Sequence, residues 1–329
     1  MNQKRRIIPE FWFIIGGCLL FLIIFILSRT LNRYLIHIIV LMGIYSIATV
    51  SLNLTNGYTG LFSLGHAAFM AIGAYTSTLL AFPLHLRESY ELPLLPAFLT
   101  GADGAMPFIV ALIAGGVFAA LSAILIGAPV LRLRGHYLSV ASLGFMVIVT
   151  TFAKTLKGIT RGSMGINAIP SYTNIYWTYL WLLIAIYVVW RIVHSRFGRA
   201  MMAIRDDETA AQVLGIFPMK YKLLSFVVGA FFAGVAGGLF AHFTKAIRPF
   251  EFSFAMTFQI VIMLIVGGMG TMSGPLVGAI SLIAFRYALK PVEEHLKVYG
   301  FIELVYAALL IIIMLWKPEG IMGKRQLKR

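Results

Sequence analysis

Apolar runs of membrane-spanning length recur from one end of this chain to the other, and nothing else in it restricts the fold as strongly. A helix needs roughly 20 apolar residues to cross a bilayer. Runs approaching that length lie at 11–28, 34–54, 66–84, 107–131, 136–153, 177–193, 223–243, 257–272, 275–289 and 300–316. In lipid every backbone N–H and C=O must find a partner within the protein, which leaves helices and closed β-barrels as the spanning structures. Alternation of period two does not recur, so a barrel is excluded. The expected fold is an all-α integral membrane protein of about ten transmembrane helices (8–10), with 136–153 and 275–289 the weakest of the ten. Composition agrees: 60% of the 329 residues are hydrophobic and 12% are charged, against about 25% charged in soluble domains.

The first run follows Lys4, Arg5 and Arg6 as a signal peptide would. No small-x-small cleavage site follows it, since Ser28-Arg29-Thr30 has the wrong residues, so a retained first span is expected. With ten spans and a cytoplasmic N-terminus, the basic tail about 317–329 is cytoplasmic, as is the connector 194–222. The bias of Lys and Arg toward that side is modest, and Lys154, Lys157 and Arg161 run against it. The connectors 85–106 and 154–176 then lie outside and read as short re-entrant or interfacial pieces. The net charge of +15 sits in connectors and at span ends, where lipid headgroups account for it. Without a basic-aromatic face, nucleic acid is not an expected partner. The one cysteine, Cys18, lies in an apolar run and supports neither a disulfide framework nor a metal cluster.

Much chemistry is missing. There is no G-x-x-x-x-G-K-[ST] loop to cradle ATP, no nucleophile elbow and no H-E-x-x-H helix. No Asp or Glu lies in the middle of a run, and Glu303 is near an end. Proton- or sodium-coupled carriers usually depend on such groups. His37 and His66 read as packing or helix-end residues. No catalytic residue, cofactor or metal site is expected.

Three features remain. The stretch SRFGRAMMAIRDDETAAQVLGI (195–216) concentrates charge in a greasy chain: Arg196, Arg199, Arg205, Asp206, Asp207 and Glu208. Asp206 and Asp207 stand where an acidic side chain caps the free N–H groups of a short helix. Ala210, Ala211, Val213 and Leu214 give that helix an apolar face, and Gly215 is placed to close it in the left-handed region. Such a helix suits a groove on another protein; a solvated connector is the alternative. The second feature is an internal echo. Gly57 to Ser63 and Gly267 to Ser273 share a G-x-x-G-x-x-S spacing between spans, as broken helices do in transporters with related halves. Asn53, Asn56, Gly57, Gly60, Ser63, Gly65, Gly267, Gly270 and Ser273 are therefore candidates to line a translocation path; tight turns are the alternative. The third is small-xxx-small spacing at Gly229, Ala233 and Gly237 and at Gly270, Gly274 and Gly278, which lets helices cross closely.

The stretches SLNLTNGYTGLFSLGHAAFMAIGAY (51–75), RLRGHYLSVASLGF (132–145), GSMGI (162–166), FGRAMMAIRDDETAAQVLGI (197–216), AGVAGGLFA (233–241), VGGMGTMSGPLVGA (266–279) and PEGIMG (318–323), in this order, resemble one family over nearly the whole chain. It is that of the permease subunits of bacterial ABC importers for branched-chain amino acids, the LivM-like branch, which includes permeases for urea and short amides. The resemblance implies a single transmembrane permease domain over 1–329 in the bacterial inner membrane. It also implies a second, related permease, two cytoplasmic ATPase subunits and a periplasmic binding protein as partners. The segment matching 197–216 is the family's ATPase-coupling loop, carried here by Gly198, Arg199, Ala203, Ile204, Arg205, Glu208, Ala210, Ala211 and Gly215. Three positions depart from the pattern: Arg161 replaces a small residue ahead of G-x-x-G-I, and Asp206-Asp207 replaces Glu-Asn. Rival functions are a permease for urea or short amides, a stand-alone secondary carrier or channel, and a membrane-bound assembly or receptor subunit.

Overall fold

The computed structural model describes residues 24, 29–83, 87, 106–132, 136–296, 300–317 and 319–323. Helix α1 (Arg33–Leu52) widens at its end into a π-helical turn, Asn53–Tyr58, and α2 (His66–Ala81) follows after a short irregular segment. Next come α3 (Phe108–Val130), α4 (His136–Thr155) and α5 (Ile175–Val193). Two shorter helices, α6 (Arg196–Asp206) and α7 (Glu208–Val213), lead into the long α8 (Pro218–Thr244). Helices α9 (Phe254–Gly267), α10 (Gly274–Leu296) and α11 (Phe301–Trp316) follow. Local chemistry explains several boundaries. The Asn174 side chain accepts the Trp177 N–H at 3.0 Å to cap α5, and Pro218 opens α8 where a missing N–H costs nothing.

Helix α8 is the centre of the bundle and packs most extensively on α2 and α3. Lipid tails are as apolar as leucine, so helices associate here through close packing instead of hydrophobic exclusion. The small residues of α8 supply that closeness. A methyl on Gly237 would overlap the Met70 carbonyl of α2, and one on Gly278 of α10 would overlap the Met263 carbonyl of α9. Both small-residue motifs thus pack helices within this chain. On the other flank α1 packs against α5 and α10, and α9 lies against α10 and α1. Helices α3 and α4 turn large apolar side chains outward, among them Phe118, Leu125, Tyr137, Val140 and Phe152, as suits contact with lipid.

The two ends of the bundle differ. At one end β1 (Ile166–Asn167) pairs antiparallel with β2 (Ala246–Ile247), Ile166 facing Ile247. The Ile169 N–H adds a bond to Lys245 O at 3.0 Å. The other end carries α6, α7 and the irregular segments 59–65 and 268–273.

Each of the nine expected runs within the described residues meets a helix, and the tenth, 11–28, lies outside them but for Ile24. Among the described residues, six helices are long and apolar enough to cross a membrane. The other three, α2, α9 and α11, have 16, 14 and 16 residues. The run at 257–272 extends beyond its helix: α9 stops at Gly267, and Gly268 adopts φ +116°. The weak run at 275–289 is the 23-residue α10. The small β1–β2 pair departs from an all-α fold. The interfacial reading of 154–176 becomes a helical turn, a 3-10 turn and β1. Arg161 adopts φ +60°, a conformation better suited to glycine. The first run (Ile24 apart), Cys18, the connector 85–106 (Arg87 and Met106 apart) and the residues 324–329 lie outside the described residues.

Candidate functional site

The two glycine-rich breaks, more than 200 residues apart in sequence, meet at one end of the bundle. Asn53 joins them. Its Nδ2 donates to Thr271 O at 2.7 Å, and its Oδ1 accepts the Gly270 N–H at 2.8 Å. Both amide groups of a 1% exposed side chain are thereby satisfied by backbone across the junction. Gly57 lets the chains approach this closely, because any side chain there would overlap the Asn53 amide and press on Gly270 N. The π-helical turn ends at this place, and the Gly57 carbonyl is one of the C-terminal acceptors that a helix leaves without an internal partner. Arg205, in the last turn of α6, donates to it from Nη1 at 3.2 Å. The same arginine holds Asp206 Oδ1 at 3.0 Å through Nη2. Its side chain crosses Gly60 and Gly270, so closely that a Cβ on Gly60 would stand 2.7 Å from Arg205 Cγ.

Helices α6 and α7 form a sharp elbow beneath this junction. Gly198 lies against the last turn of α5, where a side chain would overlap the Val193 carbonyl. Asp207 caps α7, its Oδ1 accepting from Thr209 N at 2.8 Å and Ala210 N at 3.0 Å. Gly215 adopts φ +80° just beyond the helix end. Glu208 takes Lys222 Nζ at 2.7 Å and ties α7 to α8. Ala211 is buried against the bundle, while Val213, Leu214 and Phe217 are 83%, 78% and 77% exposed.

The residues read as a candidate path separate into groups. Asn53, Gly57, Gly60 and Gly270 gather around Arg205, and Gly267 is buried behind them. Asn56 and Ser63 engage each other, side-chain amide to backbone, at 3.2 Å in both directions. Gly65 packs on Ser142 of α4, and Ser273 starts α10 by accepting the Val277 N–H at 3.0 Å. Asn53, Asn56, Gly57, Ser63, Gly65 and Gly267 are all buried within this chain, while Gly60 is exposed. Residues 319–323 close over this end: Ile321 N and Met322 N donate to Val266 O and Gly267 O at 2.9 and 3.1 Å. Among the residues expected from the sequence to couple to an ATPase, Arg205 reaches the junction. Arg199 and Ala210 are exposed on the elbow. His66 Nε2 meets Ser51 Oγ at 2.8 Å within the core, and His37 stacks on Phe243 at 4.7 Å.

A second region escaped sequence reasoning. At the opposite end a cavity of about 1400 Å³ opens between α1, α9, α10 and α11. Leu41, Ile262 and Ile283 line its apolar part, and Glu251, Gln259 and Arg286 are polar groups within it. Arg286 Nη1 donates to Gln259 Oε1 at 3.3 Å. Burial pushes the Glu251 carboxyl above its usual range, partly offset by Arg248. The available signal was Arg286 itself, a charge within an apolar run. Among the described residues no group of His, Cys, Asp and Glu could hold a metal ion.

Comparison with known proteins gives a consistent result. The family profile described as "Branched-chain amino acid transport system / permease component" matches residues 34–315. The chain is 31% identical to the high-affinity branched-chain amino acid transport system permease protein LivM of Escherichia coli (strain K12), over 90% of this chain and 72% of that one. It is 24% identical to the probable LivM permease of Methanocaldococcus jannaschii, over 86% of this chain and 91% of the relative. Likeness extends to the LivH permease of Salmonella typhimurium, at 24% identity over 87% and 93% of the two chains. No solved structure matches the chain.

Proposed function

This chain belongs to the branched-chain amino acid transport permease family, and from that premise we propose that it forms, with a second related permease, the translocation path of an ATP-driven importer for branched-chain amino acids in the bacterial inner membrane. Two ATPase subunits dock on α6 and α7, and a periplasmic binding protein delivers substrate at the β1–β2 end. The chain carries no nucleotide loop of its own, so force must arrive through contact with a partner. The exposed Val213, Leu214 and Phe217 supply the contact, and Asp207 and the Glu208–Lys222 pair stiffen the elbow that carries them.

One observation carries this reading: Arg205 leaves the elbow and bonds the Gly57 carbonyl where the two glycine-rich breaks meet. A shift of α6 must therefore pull on Gly57 or break this bond. The junction is the inner closure of the path, and Asn53, Gly57, Gly60 and Gly270 are the residues that part when it opens. Irregular backbone at such a place is tolerated because it is buried in protein when closed and lines a watery passage when open.

The test is co-purification in mild detergent followed by leucine uptake into vesicles with ATP. A second permease and ATPase subunits should co-purify, and uptake should require ATP. Arg205→Ala should lower uptake about tenfold, as expected for loss of a charged hydrogen bond, with the assembly intact and ATP still hydrolysed. Uptake without ATP would establish a stand-alone carrier instead, and transport of urea without leucine would reassign the substrate.

A further inference from the structure

The cavity at the β1–β2 end combines three features that one small ligand class can satisfy. Part of its wall is apolar, with Leu41 from α1, Ile262 from α9 and Ile283 from α10. Its charged lining comprises Glu251, Glu293, Glu294 and Glu303 with Arg286 and Lys290; of these, Glu251 and Arg286 flank Gln259, and among the described residues neither forms an ion pair. Two buried polar atoms there, Glu251 Oε2 and Gln259 Nε2, have no hydrogen-bond partner. A buried carboxylate oxygen without a donor is costly, and such atoms in native structures call for an explanation.

We infer that this cavity is a binding site for an α-amino acid zwitterion with an aliphatic side chain, its ammonium on Glu251, its carboxylate on Arg286 and its side chain on the apolar wall. The inference rests on the reading of the chain as an amino acid permease and assigns residues to substrate within it. An ammonium offers three N–H donors, and Glu251 Oε2 takes one. Guanidinium has five N–H groups in a fork matched to carboxylate, and Gln259 engages Arg286 through Nη1, which orients the fork. Gln259 Nε2 is then a donor for the second carboxylate oxygen. The acid and the base neither collapse onto each other nor need to, because the ligand carries the complementary pair. Glu251 sits on the turn between α8 and α9, and Arg286 on the far half of α10, so the two charges approach the ligand from different elements.

The experiment uses the intact assembly in nanodiscs and three probes of nearly equal shape. L-leucine carries both charges, 3-methylbutylamine lacks the carboxylate and 4-methylpentanoate lacks the ammonium. Binding is followed by saturation-transfer NMR, which reads weak ligands, and leucine uptake is measured in parallel. The parent should prefer leucine to either analogue. Glu251→Gln should weaken leucine about tenfold and abolish the preference over 4-methylpentanoate; Arg286→Gln should weaken it about as much and abolish the preference over 3-methylbutylamine. Leucine bound without uptake would keep the site and overturn the transport reading. Uptake by the parent, with both variants retaining its affinity and preferences, would overturn the site and keep the transport reading. Absence of both binding and uptake would overturn the two together. A tightly held phosphatidylethanolamine that leucine cannot displace would assign the cavity to lipid and overturn the proposal.

Discussion

At the α6–α7 end, Asn53, Gly57, Gly60 and Gly270 bring backbone against backbone under the Arg205 side chain. At the β1–β2 end, α1, α9, α10 and α11 part around Glu251 and Arg286. Glycine and asparagine can close a passage because they place little volume there and satisfy every amide they bury. At the other end Glu251 Oε2 and Gln259 Nε2 remain without hydrogen-bond partners, and burying such atoms more tightly is costly. The chain is thus closely packed at the end that carries the α6–α7 elbow and hollow at the other.

The largest way to break this contrast is to add volume at the closed end. Gly57→Ala places a methyl on the Asn53 amide and Gly270, and should cost about 3 kcal/mol as overpacking. It should appear as a lowered melting temperature or lost assembly in detergent. Asn53→Ala leaves Gly270 N–H and Thr271 C=O without their bonds and should cost about 2 kcal/mol, with hydrogen exchange accelerating at 268–273 first. If exchange there is unchanged, the junction is not held by Asn53. The smallest effect is expected at the elbow. Gly215→Val meets open space but must keep φ +80°, a strain of about 1 kcal/mol or more. Membrane insertion should persist while transport and substrate-stimulated ATP hydrolysis fall together; undiminished coupling would remove α7 from the docking surface.

Helix positions were legible because each apolar run must satisfy its backbone internally, and nine of them coincide with helices. The ends of α7 were legible too, since Asp207 and Gly215 do local work that depends only on neighbours in sequence. The lengths of α2 and α9 were not. Both are shorter than a full span, and their ends are set by contacts with other segments: α9 stops where Gly268 turns beneath residues 319–323. The shared spacing at 57–63 and 267–273 pointed to two equivalent places, yet nothing in the spacing said that they touch. Arg205 was singled out as part of a coupling helix and turned out to bond the first of those places.

From the sequence alone follow a helical membrane protein, the capped short helix at 206–215 and the glycine-rich breaks, because periodicity, capping and hydropathy act over a few residues. Only the tertiary structure decided that Asn53 bridges the breaks, that Arg205 lies across them, and that Glu251 and Arg286 share one cavity. Those pairings join residues separated by 35 to more than 200 positions, and their geometry depends on how α8 and its neighbours cross, which packing of the whole bundle sets.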